Sequence, residues 1–161
     1  MAKLINGIES RLEYKIDDRL KEYIHLTTTD QIPNDIAKAL ALCCWAISEQ
    51  LEAEGELGNL PLANCVFTND SKVTFQLDDE QLGMVMNLIV YPMNKWNKLM
   101  QQFSNQDIYY VAITEELVHL YWNIRDEVEV NFKVLEILKR ISPTIKMSDI
   151  YNIEFMDNYN K

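Results

Sequence analysis

The sequence predicts an α+β protein that is predominantly helical, with four or more helices and a small β-hairpin in the middle of the chain. Apolar residues recur at three- and four-residue steps over several long segments, as in amphipathic helices. Near the centre, β-branched and aromatic residues flank a turn-forming cluster, which is typical of a hairpin. The 161 residues, 48% of them hydrophobic, fit one globular domain, 1–161, whose core needs neither disulfides nor structural metal.

Two helices are predicted in the first third of the chain. The first covers about Ile5 to Leu26 and ends at Thr27–Asp30, because apolar residues recur throughout it at helical spacing. The second begins at Pro33, a residue favoured in the first helical turn, and is stopped by Gly55. Its expected core-facing residues are Ile36, Leu40, Cys43, Ile47 and Leu51.

The middle of the chain contains the predicted hairpin. Its strands are Asn64–Thr68 and Lys72–Leu77, joined by the turn-forming residues Asn69–Ser71. The next segment, Leu82–Tyr91, suits either a helix or a strand buried ahead of Pro92. We favour the helix.

Two further helices are predicted after Pro92. The first has an apolar face formed by Trp96, Leu99, Met100 and Phe103. The second is long and runs from about Gln106 to Ser142. One side of the long helix is lined by Ile113, Leu117, Leu120, Tyr121, Ile124, Val128, Leu135 and Leu138.

Charge and composition exclude several classes of protein. A net charge of −10 argues against a nucleic-acid partner, because such binding depends on Lys and Arg. No apolar stretch has the length of a membrane span or a signal peptide, so we expect a cytoplasmic protein without a membrane partner. The three cysteines form no C-x-x-C pair, and we expect free thiols at Cys43, Cys44 and Cys65.

The long helix carries one notable polar stripe. At about 100° per residue, Glu115, His119, Trp122 and Asp126 fall on the side opposite the apolar face. Glu115 or Glu116 can share a metal ion with His119, since they precede it by four and three residues. Asp126 is about 10 Å beyond His119 on a straight helix, too far for the same ion unless the helix bends.

The segment Glu115-Glu116-Leu117-Val118-His119, followed by an acidic pair, resembles the H-E-x-x-H helix of zincin metallopeptidases, with Glu115 in place of the first histidine. The resemblance covers about thirteen residues. It implies zinc held by His119 and by Glu115 as a substituted ligand, with Asp126 or Glu127 as third ligand. Glu116 would be the general base.

A second resemblance is to ferritin-like di-iron bundles, which use E-x-x-H units. The chain has two such units, Glu116 to His119 and Glu22 to His25. The additional inward carboxylates of such a site are missing, since the second predicted helix has no acidic residue between Ile36 and Ile47.

The alternative is that the polar stripe is an ordinary solvated helix face. Trp122 fits such a face poorly, because an indole there needs a partner. We therefore expect first a non-catalytic interaction or regulatory protein that binds a protein partner or forms a homodimer through Trp96, Tyr109, Tyr110 and Trp122. A zincin-like metal protein, or metal-dependent hydrolase if it is an enzyme, is the second hypothesis. A di-iron protein is the third.

Overall fold

A computed structural model describes residues 3–10, 12–70, 72–76, 86–103 and 107–150. These ranges contain five strands and five helices, and the predicted helix-dominated α+β class is confirmed. The strands are β1 (Lys3–Leu4), β2 (Ile24–Thr28), β3 (Ala63–Thr68), β4 (Phe75–Gln76) and β5 (Leu88–Pro92). The helices are α1 (Asn34–Ala53), α2 (Met93–Phe103), α3 (Asp107–Tyr121), α4 (Glu127–Leu138) and α5 (Met147–Ile150). Among them, no helix is long and apolar enough to cross a membrane.

A three-stranded parallel sheet lies at the centre of the fold, with strand order β2-β3-β5. Leu26 pairs with Cys65, which pairs with Ile89 on its other side. The connection from β2 to β3 passes through α1, as parallel neighbours require a crossover. In β5, Ile89 and Tyr91 are buried, whereas the alternating residues Leu88 and Val90 are exposed.

Helix α1 forms as its sequence predicts. The helix follows Pro33, and the whole predicted apolar face is buried. Gly55 follows its end with φ of 72°, a conformation that glycine adopts without strain. Helix α1 packs against α3 and α4. The three cysteines are free and buried, as expected, and burial raises the pKa of Cys43 and Cys65 to about 12.

The predicted helix over Ile5–Leu26 is wrong. Strand β2 begins at Ile24, and the apolar residues before it do not share one face: Leu20 is fully buried while Ile5 is 62% exposed. Turns replace the helix, and one of them is closed by Asp17, whose carboxylate accepts hydrogen bonds from the backbone and guanidinium of Arg19. The β-branched residues of Ile24–Thr28 favour the strand.

The first predicted strand forms as β3, but in the described part of the second only Phe75–Gln76 is a strand, and the two do not pair as a hairpin. Strand β3 pairs in parallel with β2 and β5, and β4 pairs antiparallel with β1, joining Phe75 to Leu4. The preference for a helix over Leu82–Tyr91 is also wrong, because Leu88–Pro92 is strand β5. Residues 82–85, like Ser71 and Leu77 of the hairpin, lie outside the described residues.

The long predicted helix is two helices. Helix α3 ends at Tyr121 and α4 begins at Glu127, so the chain reverses and the two pack together. Asn123 adopts φ of 52°, in the left-handed region that asparagine tolerates better than most residues. Asp126 caps α4, its carboxylate accepting a hydrogen bond of 3.0 Å from the backbone N–H of Glu129.

An aromatic cluster occupies the core between the sheet and the helices. The ring of Tyr91 lies 4.8 Å from Phe67 and 5.6 Å from Trp96, measured between centroids, and Trp96 lies 5.8 Å from Tyr109. The hydroxyl of Tyr91 donates a hydrogen bond of 3.0 Å to the carbonyl of Ile113 in α3. This bond joins α3 to the sheet.

Candidate metal centre

The reversal after α3 brings three metal-ligand side chains together. Glu115 and His119 are four residues apart on α3 and share its outward face, while Glu127 is the first residue of α4. One ligand atom from each of the three lies within 4.8 Å of the others. The structure thus places Glu115 beside His119, and the third member of the group is Glu127.

The imidazole of His119 is oriented by the backbone. Its Nδ1 atom lies 2.7 Å from the carbonyl oxygen of Ile124, and a carbonyl can only accept a hydrogen bond. Nδ1 therefore carries a proton. The other ring nitrogen, Nε2, lies 3.5 Å from Oε1 of Glu127. Histidine ligands of metals commonly have this arrangement, with one nitrogen donating to a carbonyl and the other directed at the ion.

Electrostatics at the group favour a bound cation. The Nε2 atom of His119 faces a carboxylate oxygen of Glu127, and either a proton or a metal ion between the two atoms satisfies both. Burial raises the pKa of Glu115, and the negative charges of Glu127 and Glu116 raise it further, against the lowering effect of His119. Within the described ranges, no Lys or Arg forms an ion pair with Glu115 or Glu127.

The donor set fits a divalent ion. One imidazole and two carboxylates suit Zn²⁺, Fe²⁺ or Mn²⁺, and the two negative charges match the charge of the ion. Three protein ligands leave coordination positions for water or a further ligand. The group can therefore both bind an ion and present it to another molecule.

No family model, curated protein or solved structure matches this chain. The geometry of these three side chains and the hydrogen bond of His119 are the features that favour a metal centre.

Two other residues of the predicted site lie beside the group. Glu116 is exposed on α3, next to Glu115. Asp126 is the N-cap of α4 and is not one of the three grouped ligands. The helix is not straight here: α3 ends at Tyr121, and the chain turns back to bring Glu127 beside His119.

The aromatic residues predicted as an interaction surface are mostly covered. Trp96 is 5% exposed and Tyr109 is 4% exposed, and Tyr110 is half-buried. Trp122 finds its partners within the chain: its Nε1 donates to Glu54 at 2.9 Å, and the ammonium of Lys133 lies 5.5 Å from the ring centroid. These residues serve mainly to pack the protein's own helices.

Sequence reasoning missed the contribution of the turn between α3 and α4. The carbonyl of Ile124 has no sequence signature, because any residue supplies a backbone oxygen. The turn itself had two signals within the predicted long helix: Asn123, which tolerates a left-handed conformation, and Asp126, a favoured N-cap residue. A helix boundary drawn from them would have placed Glu127 near His119.

Proposed function

We propose that this chain is a metal-binding protein in which Glu115, His119 and Glu127 hold one divalent ion, and that it is a zincin-like metal-dependent hydrolase. The observation that supports the metal site most strongly is the orientation of His119. Its Nδ1 contacts the Ile124 carbonyl at 2.7 Å while its Nε2 faces Glu127 at 3.5 Å. This orientation leaves Nε2 directed at a carboxylate, as in many histidine ligands of metals.

The proposed chemistry is metal-assisted hydrolysis. A bound divalent ion polarises a carbonyl group and lowers the pKa of bound water. A carbonyl of the turn orients His119, and Glu115 is half-buried on the same face of α3. By the zincin resemblance, Glu116 accepts the proton of the attacking water. Glu116 is exposed and adjacent to a ligand, so it can exchange that proton with solvent.

Metal analysis of the untagged full chain tests the binding proposal. The protein is loaded separately with Zn²⁺, Fe²⁺ and Mn²⁺, dialysed and assayed by elemental mass spectrometry. We expect one ion per chain from at least one metal, loss of that ion in His119→Ala and its retention in His25→Ala. His25 is the matched control, since it is the other histidine and lies in β2. Equal metal content in both variants would overturn the site.

The hydrolase proposal needs a separate measurement. The metal-loaded chain is incubated with a mixed peptide library, and new termini are identified by mass spectrometry. We expect cleavage that disappears in Glu116→Gln while the metal remains bound. Cleavage that persists at the wild-type rate in Glu116→Gln would exclude this residue as the base, and absence of cleavage by the metal-loaded wild type would restrict the function to metal binding.

The di-iron alternative lacks one of the two helical E-x-x-H units that it requires. His25 of the second E-x-x-H unit lies in strand β2, so that unit does not form a helix facing α3. Two such helical units are what a ferritin-like site requires.

A second candidate function is self-association through β5. Among the described residues, β5 is an edge strand of the three-stranded sheet, and the side chains of Leu88 and Val90 are 42% and 40% exposed. Two copies of an edge strand can pair antiparallel across a two-fold axis. Light scattering after size exclusion should show a dimer that Val90→Lys dissociates. Phe132→Lys, at an exposed apolar residue on α4, is the control that leaves it intact.

A further inference from the structure

An apolar pocket adjoins the proposed metal site. It has a volume of about 180 Å³ and lies between α2, α3 and α5. Glu115 forms one wall and contributes the carboxylate of the described lining. The other lining residues are apolar: Trp96, Leu99, Ile108, Val111, Ala112 and Ile150.

The pocket and the metal ligands follow one another along the same face of α3. Ile108, Ala112, Glu115 and His119 are separated by four, three and four residues, which is the spacing of one helical face. With a rise of 1.5 Å per residue, Ala112 is about 5 Å from Glu115 along the helix axis and about 10 Å from His119. Glu115 belongs to both the pocket and the metal group.

Trp96 forms the floor of the pocket. Trp96 is 5% exposed, and its ring contacts the rings of Tyr91 and Tyr109 in the aromatic core. Leu99 on the rim is 41% exposed, so an entering apolar group can gain contact with it. A packed aromatic floor with an accessible apolar rim is the kind of surface that binds apolar groups.

We infer that this pocket binds the aliphatic or aromatic group of a ligand whose metal-binding head group is held at Glu115, His119 and Glu127. The inference rests on the metal site proposed above and defines the substrate class for it: molecules with an apolar group a few atoms from the carbonyl or acid group at the metal. The volume equals that of roughly six water molecules, which is room for a chain of about four to six carbon atoms.

Straight-chain alkyl hydroxamates are suitable probes, because the hydroxamate chelates the metal and the chain length is freely varied. Their affinities for the metal-loaded full chain are measured by titration calorimetry, from acetohydroxamate to octanohydroxamate. Each added methylene should raise the affinity about fourfold until the pocket is filled. Beyond about six carbons the affinity should level off.

Two variants of the pocket should change the dependence of hydroxamate affinity on chain length in opposite directions. Ala112→Leu fills the pocket and should lower the affinity for hexanohydroxamate at least tenfold, without changing acetohydroxamate binding or metal content. Leu99→Ala widens the rim and should move the plateau to longer chains. Ala53→Leu, at the exposed last residue of α1, is the matched control and should leave all the hydroxamate affinities unchanged.

The outcomes separate this inference from the proposed function. If the metal-loaded protein binds acetohydroxamate and affinity does not depend on chain length, the pocket inference is wrong while the metal site stands. The same conclusion follows if chain-length dependence is unaffected by both Ala112→Leu and Leu99→Ala. If no metal binds, both the site and the pocket inference fail.

Discussion

The Nδ1 atom of His119 lies 2.7 Å from the carbonyl oxygen of Ile124, a residue five positions further along the chain. The contact is possible because α3 ends at Tyr121 and the chain reverses through Asn123, where φ is 52°. The orientation of the imidazole therefore depends on the backbone of the turn. Metal affinity should respond to changes in that backbone, although none of the turn's side chains belongs to the ligand group.

The backbone of Asn123 gives the first prediction. Asn123→Val places a β-branched residue in the left-handed region and should destabilise the protein by about 1–2 kcal/mol. Displacement of the Ile124 carbonyl should weaken metal binding by about tenfold to a hundredfold, as loss of such supporting hydrogen bonds does elsewhere. Asn123→Gly is the control and should retain affinity. Competition with a fluorescent chelator measures metal affinity, and urea unfolding measures stability. If Asn123→Val is destabilised but keeps wild-type metal affinity, the turn does not orient His119 for metal binding.

Asp126 should act on stability and not as a ligand. Asp126→Ala removes the acceptor for the Glu129 N–H and should lower the free energy of unfolding of the metal-free protein by about 1 kcal/mol. Asp126→Ser keeps a capping oxygen and should restore most of that loss. Metal binding should survive Asp126→Ser and be lost in Glu127→Gln. If Asp126→Ser and Glu127→Gln lost metal to a similar extent, Asp126 would be identified as a ligand.

The parts of the fold that could be predicted from sequence are those fixed by local signals. Helix α1 has regular apolar spacing, a proline ahead of it and Gly55 after it, and these determine it without reference to other segments. The parallel sheet depends on contacts between distant residues, such as Leu26 with Cys65. Strand propensity near Val66 was visible, but its partner was not, because pairing is decided by tertiary packing.

The site was predictable to a similar extent. Glu115 and His119 could be paired because their spacing within one helix fixes their relation. Glu127 appeared only as one of two acidic residues implied by a resemblance, because its position depends on where α3 ends. The apolar residues that follow Tyr121 kept the helical spacing and obscured that end. The pocket beside Glu115 involves α2 and α5, so sequence spacing on α3 alone could not reveal it.

The metal-free protein should be more stable when Glu115 is neutral. Burial raises the pKa of Glu115, with Glu127 and Glu116 adding to the effect, so the folded state binds this proton more tightly than the unfolded chain does. Stability therefore falls as the pH rises through the interval between the two pKa values. Glu115→Gln should raise the urea midpoint at pH 7 in the presence of a chelator, abolish metal binding and give no gain below about pH 4. Glu129→Gln is the control for the loss of one negative charge. If Glu115→Gln raised the urea midpoint equally at pH 7 and below about pH 4, the titration of Glu115 would not be the cause.

The last prediction concerns Glu54, which joins the ends of α1 and α3 to α4. Its carboxylate accepts hydrogen bonds from Trp122 at 2.9 Å and from Lys133 at 2.8 Å. Burial acts to raise the pKa of Glu54, but these two hydrogen bonds outweigh it and the pKa is lowered. A lowered pKa means that the stabilisation is present above the unfolded pKa and is lost as the pH falls through the folded value.

Glu54→Gln should therefore lower the free energy of unfolding at pH 7 by about 0.5–1 kcal/mol, a modest effect because the carboxylate is partly exposed. The difference from wild type should be smaller at pH 3 than at pH 7, because acid protonates the carboxyl and removes the advantage of its charge. Glu56→Gln, an exposed position two residues away, is the matched control and should unfold like the wild type. Urea unfolding at both pH values measures the effect. Identical midpoints for the two variants at pH 7 would show that the contacts of Glu54 with Trp122 and Lys133 do not stabilise the fold.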